Sequence, residues 1–128
     1  MEGAGSRKVV LLVDDSPDNR AMYAAVLELS GYHVIEASDG QDALVRAREC
    51  RPDAIVMDVI LPVLDGCEAT RALRADPVTR DIHVIAMSGR GDAPFKRDVL
   101  ASGVDRFLEK PCLPALLVEH LRALLGDG

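Results

Sequence analysis

The sequence predicts an α/β fold, a (βα)5 doubly wound sheet of five parallel strands with helices on both faces. Three observations carry that prediction. Val9–Val13, Ala54–Met57 and Val84–Met87 are short runs of Val, Ile, Leu, Ala and Met without polar alternation, as strands covered on both faces require. Segments of helical period separate them. Gly, Pro, Ser and Asp punctuate the junctions, so strand and helix alternate five times.

The elements follow in order. After Val9–Val13, Ser16 is a helix N-cap with Pro17 at the first helical position. Ala21, Met22, Ala25, Val26 and Leu29 are expected to share the buried face of this helix, and Gly31 to end it. Tyr32–Ala37 is shorter and more polar, which suits a strand nearer the sheet edge. A helix over Gly40–Cys50 stops at Arg51-Pro52, and one over Gly66–Ala75 stops before Pro77. The fourth helix begins near Pro94 and ends at Ser102-Gly103, leading into a second edge strand, Arg106–Glu109. Leu113, Leu116, Leu117, Leu121 and Leu124, spaced by three and four, predict a core-facing stripe on the last helix. Right-handed crossovers leave few topologies; strand order 2-1-3-4-5 leads, with a Rossmann-like order second.

A chain of 128 residues fits one domain, expected over residues 8–125, with a flexible tail at 1–7 and a short one at 126–128. No apolar run approaches the roughly 20 residues that span a bilayer. Met1–Ser6 lacks the basic and apolar segments of a secretory signal. Cys50, Cys67 and Cys112 form no Cys-x-x-Cys motif, so a reducing, cytoplasmic setting is expected. A net charge of −6 argues against general nucleic-acid binding, which depends on Lys and Arg neutralising phosphates.

In open α/β sheets ligands bind beyond the carboxyl ends of the strands. There the first strand delivers Asp14-Asp15, the third Asp58, the fourth Ser88 and the fifth Lys110-Pro111. Singly, each has an ordinary structural explanation as a cap, a loop hydroxyl or a solvated charge. Together they do not, because clustered carboxylates raise one another's pKa unless something compensates. A hard divalent cation such as Mg2+ is one compensator and Lys110 another. A carboxylate, a metal, a lysine and a hydroxyl are also the parts that phosphoryl transfer uses, and an Asp can itself be the nucleophile. By contrast, Gly89-Arg90-Gly91 lacks the spacing of a nucleotide loop, and His33, His83 and His120 have no shared ligand spacing.

These residues bring a family into view. Over about Lys8 to Leu125 the chain resembles the receiver domain of two-component response regulators, the CheY-like branch of the flavodoxin-type folds. The resemblance rests on Val13-Asp14-Asp15-Ser16, the stretch from Met57-Asp58 to Asp65-Gly66, Ala86-Met87-Ser88-Gly89, and the stretch from Gly103 to Lys110-Pro111. It implies that Asp58 accepts a phosphoryl group from a histidine kinase or histidine phosphotransfer protein. It implies Mg2+, with Mn2+ as a substitute, held by Asp14, Asp15, Asp58 and the backbone carbonyl of Ile60. Ser88 and Lys110 would meet the phosphoryl oxygens, Phe107 would turn inward as Ser88 moves, and Pro111 would follow a cis peptide. The surface of the fourth helix, fifth strand and fifth helix would then answer to a downstream protein or a fused output domain, with no direct contact to nucleic acid or membrane. Ser88 in place of threonine, Gly89 in place of alanine, Cys112 in place of phenylalanine and His83 in place of proline depart from the usual pattern. Ile60 and Arg90 stand where this family sets phosphoryl lifetime.

Overall fold

A computed structural model describes residues 7–126; of the expected tails, residues 1–6 and 127–128 lie outside the described residues. The chain runs β1 (Val9–Val13), α1 (Pro17–Leu29), β2 (His33–Ala37), α2 (Gly40–Cys50), β3 (Ala54–Asp58), α3 (Gly66–Ala75), β4 (His83–Ser88), α4 (Ala93–Ala101), β5 (Arg106–Glu109) and α5 (Pro114–Leu125). The five strands are parallel, in the order β2-β1-β3-β4-β5. This is the predicted topology, and the Rossmann-like alternative is excluded.

Strand periodicity explains why the sheet is wound on both sides. Successive residues of a strand point to opposite faces. Leu11, Val13, Ile55, Met57, Val84 and Ala86 pack on one face with Ala43 and Ala47 of α2, Ala69 and Leu73 of α3 and Val99 of α4. Their neighbours Val10, Leu12, Ala54, Val56, Ile85 and Met87 pack on the other with Tyr23 and Leu27 of α1 and Leu117, Val118 and Leu121 of α5. Both sides of the central strands are therefore dry, which is why their sequences are continuously apolar. The strands end abruptly where the first charged or hydroxyl residue emerges: Asp14 directly after β1, Asp58 as the last residue of β3, Ser88 as the last of β4.

Side-chain caps start four of the helices. Ser16, Asp39, Asp65 and Asp92 accept the amides of Asn19, Asp42, Glu68 and Phe95, and Glu68 reaches back to Asp65 to complete a capping box on α3. Helix α5 starts without one.

Two expected faces are corrected. On α1 the buried residues are Tyr23 and Leu27, whereas Ala21, Met22 and Ala25 are exposed and Leu29 is 88% exposed. Apolar residues lie nearly all round this helix, so counting them does not locate the inner face; the large Tyr23 ring, four residues before Leu27, sets it. On α5, Leu117 and Leu121 are fully buried and Leu124 packs at the margin of the core. Leu113, however, is the N-cap at 75% exposure, and Leu116 also faces outward. The periodicity does not extend back through a residue that precedes the helix.

Candidate functional site

The loops at the carboxyl edge are fixed by continuation of the sheet's own hydrogen bonding. The Asp14 amide donates to the Ala37 carbonyl, that of Val59 to Met87, and that of Lys110 to Ser88. Each residue flanking the site is thus tied to the neighbouring strand. Gly66 closes α3 against this edge: its amide donates to the Val59 carbonyl at 2.7 Å. A Cβ there would stand 2.5 Å from the Asp58 carbonyl oxygen and 2.8 Å from Val59 Cα. Only glycine allows α3 to begin so close to Asp58.

Within this frame the carboxylates of Asp14, Asp15 and Asp58 converge, with one oxygen from each lying within 4.8 Å of the others. Asp14 is buried and Asp15 exposed, so the cluster spans from the sheet to solvent. The Lys110 ammonium bridges two of them, 2.6 Å from Asp58 Oδ1 and 3.2 Å from Asp14 Oδ2. The second oxygen of Asp14 accepts the Ser16 amide at 2.8 Å. One ammonium against three carboxylates leaves the cluster short of positive charge.

The titration behaviour follows. Burial, reinforced by Asp14, raises the Asp58 carboxyl to about 6, against the opposing pull of Lys110. Burial works against the Lys110 ammonium too, but its contacts with Asp58 and then Asp14 outweigh burial and raise its pKa, so it stays charged.

A cleft of about 100 Å3 opens beside Asp58, lined by Ile60, Met87, Ser88, Gly89 and Lys110. The sequence-predicted residues Asp58, Ile60, Ser88 and Lys110 therefore meet in one cleft, with Asp14 and Asp15 adjoining through their carboxylates. Ser88 is buried, and its hydroxyl accepts the Arg90 amide at 3.1 Å, within its own turn. Phe107 lies apart from the cleft, partly buried on the α4 side and edge-on to Phe95 with ring centroids 6.3 Å apart. The Lys110-Pro111 peptide is cis, as expected.

Sequence reading missed Arg20. Its guanidinium donates to the Asp14 carbonyl at 2.7 Å and to Glu36 Oε1 at 3.0 Å, bracing the acidic turn from behind. The available signal was its place one helical turn after the Ser16 cap, where a side chain leans back over the N-terminal end.

The donor set fits a hard cation: carboxylate oxygens with a charge deficit and space beside them. Such oxygen donors suit a hard cation such as Mg2+ rather than thiolate- or imidazole-seeking metals.

Comparison with known proteins gives a consistent result. The model for the response regulator receiver domain matches residues 10–122. The chain is 42% identical over 125 residues to the transcriptional regulatory protein PrrA of Mycobacterium leprae, covering 98% of this chain and 53% of PrrA. It thus spans about half the length of that relative. Among solved structures, chemotaxis response regulator CheY4 of Vibrio cholerae superposes with a TM-score of 0.88 at 32% identity, covering 94% of this chain and all of CheY4. The receiver domain of sensor histidine kinase PA1611 of Pseudomonas aeruginosa, solved with a magnesium ion in its active-site cleft, gives 0.88 at 36% identity, covering 94% and 99%. Receiver domains are signalling switches of two-component systems that bind Mg2+ in an acidic pocket and work with histidine kinases and output targets. The chain belongs to the family of response regulator receiver domains.

Proposed function

We propose that this chain is switched by phosphorylation of Asp58. The observation that carries the reading is the Lys110 ammonium 2.6 Å from Asp58 Oδ1, inside a cluster of three carboxylates. An Asp58 oxygen attacks the phosphorus of a phosphohistidine on a histidine kinase or histidine phosphotransfer protein. The new O–P bond forms as the N–P bond breaks, and the imidazole leaves with the electron pair and takes up a proton. Asp14, Asp15, Asp58 and the Ile60 carbonyl would hold Mg2+, or Mn2+ in its place; the ion supplies charge neutralisation for the carboxylates and the transferred group. Lys110, already against the Asp58 carboxylate, would add its charge to the phosphoryl oxygens.

The response follows from charge. An acyl phosphate brings additional negative charge and acceptor oxygens into a 100 Å3 cleft already lined by Ser88 and Lys110. The Ser88 hydroxyl swings from its turn to donate to a phosphoryl oxygen, and Phe107 moves into the space that Ser88 leaves. Because Phe107 packs on Phe95, the surface of α4, β5 and α5 changes with it and presents itself to a downstream protein or a fused output domain. Cys50, Cys67 and Cys112 are free thiols, which suits a cytoplasmic protein. No helix among the described residues is long and apolar enough to cross a membrane.

The test is intact-protein mass after incubation with acetyl phosphate, with and without Mg2+, for the native chain and Asp58→Asn. The expected result is a Mg2+-dependent gain of one phosphoryl mass that the variant lacks. An equal gain in Asp58→Asn would remove Asp58 as the acceptor.

A further inference from the structure

We infer that Tyr23 is a positioning residue for Lys110, acting through the backbone of the β5–α5 turn; the inference rests on the phosphoryl-transfer reading of Lys110. Tyr23 lies on α1, yet its hydroxyl donates to the Cys112 carbonyl at 2.9 Å, a buried hydrogen bond spanning 89 positions of sequence. Both residues are buried, and burial, reinforced by Cys112, pushes the Tyr23 phenol up, so its hydroxyl remains a donor.

Two backbone ties hold the segment Lys110-Pro111-Cys112. On the β4 side it is tied by the Lys110 amide to the Ser88 carbonyl at 2.8 Å. Toward α5 the side-chain cap of the other four helices is missing at Leu113, and the Cys112 thiol makes only a long contact with the Leu113 carbonyl at 3.5 Å. The Tyr23 hydroxyl supplies a tie there, anchoring Cys112 to α1. With a tie at each end, the backbone between them fixes where the Lys110 side chain starts, and its ammonium spans Asp58 and Asp14. A long, flexible lysine reaches a defined point cheaply only if its Cα is held still. A cleft of about 380 Å3 between Asn19, Met22, Tyr23 and Lys110-Pro111-Cys112 gives the turn room to move when the tie is cut.

Tyr23→Phe removes the hydroxyl and leaves the ring, so the core of α1 is retained. Two measurements test the inference. In metal-free buffer, limited lysine acylation read by peptide mapping is expected to modify Lys110 about threefold faster in Tyr23→Phe, because its ammonium spends less time on Asp58. Lys8 and Lys96, the only other lysines, serve as internal references and are expected to be unchanged. With acetyl phosphate and Mg2+, Tyr23→Phe is expected to slow phosphorylation about three- to tenfold, the range set by one neutral hydrogen bond. In a Lys110→Ala background the same substitution is expected to change the rate by less than about twofold, since no ammonium remains to be placed. Unchanged Lys110 acylation, or equal slowing in both backgrounds, would overturn the inference and leave Tyr23 as a packing residue. If the native chain takes up no phosphoryl group while Tyr23→Phe still unmasks Lys110, the positioning role stands and the reading of Asp58 as acceptor falls.

Discussion

Helices α3 and α4 flank the same pocket and are built very differently. Helix α3 begins with a capping box, buries Gly66, Ala69, Thr70 and Leu73, and has Thr70 bonded back to the Gly66 carbonyl at 2.7 Å. Helix α4 has nine residues, of which Val99 alone is fully buried, and leans on the sheet through Phe95. Few buried contacts mean low local stability, and elements that move are drawn from that end of the range. Asp58, the proposed acceptor, thus sits on the fixed side, with α3 starting against its carbonyl, while the proposed switch residues Ser88 and Phe107 lie toward the more loosely packed side. A switch needs both: a rigid place for chemistry and a loose element to bias.

The largest effect that tests this contrast is in the core. Leu73→Ala on α3 is expected to cost about 3 kcal/mol, as deletion of a fully buried leucine does, whereas Leu100→Ala on α4, at an exposed position, is expected to cost less than about 1 kcal/mol. Urea titrations of the two variants measure the difference. Native-state hydrogen exchange is expected to show α4 amides opening before those of α3. Equal losses, or equal protection, would dissolve the distinction.

How much of this was legible in the sequence depends on what kind of signal each feature carries. The strands were readable because burial on both faces demands unbroken apolar runs, and Asp14, Asp15, Asp58, Ser88 and Lys110 were readable because the chain changes character abruptly at each strand end. The buried face of α1 was not, since Ala21, Met22, Ala25 and Leu29 form an apolar stripe that competes with the face of Tyr23 and Leu27, and the choice falls to the fit of Tyr23. Nor were the hydrogen bonds that Arg20 and Tyr23 make to the Asp14 and Cys112 backbone carbonyls; an acceptor that every residue carries leaves no mark in composition or spacing. The engagement of the Ser88 hydroxyl with Arg90 is likewise a property of the turn, invisible in residue type.

The fixed side also carries a cost at its tip, and pH exposes it. With its carboxyl raised from 3.8 to about 6, folded Asp58 retains a proton that the unfolded chain has already lost between those values. The unfolded state therefore binds fewer protons in that window, and the contribution of Asp58 to stability falls as pH rises through it. In metal-free buffer, Asp58→Asn is expected to be more stable than the native chain at pH 7.5, by about 1–2 kcal/mol once solvent screening and the Lys110 contact are allowed for. At pH 4 and below the two are expected to coincide. Thermal or urea unfolding across this range checks the sign, and a pH-independent difference would show that the carboxylate is not the source of the cost.

The smallest expected effect tests whether strain is stored at the entry to α3. Val63 has φ of +69°, and the Leu64 amide donates to the Pro62 carbonyl at 2.7 Å, so a tight three-residue turn is centred on a β-branched residue in the left-handed region. The side chain is exposed and gains no core packing in return. Such a conformation costs on the order of 1–3 kcal/mol, and glycine adopts it freely at an entropic cost of up to about 1 kcal/mol in the unfolded chain. Val63→Gly is therefore expected to stabilise the protein by about 0.5–1 kcal/mol, where a glycine at an ordinary exposed position would be neutral or unfavourable. A gain in the urea midpoint with unchanged slope would place stored strain two residues before Asp65, the N-cap whose capping box starts α3. A loss would show that the loop relaxes around valine, and that the stability of α3 owes nothing to tension at its entry.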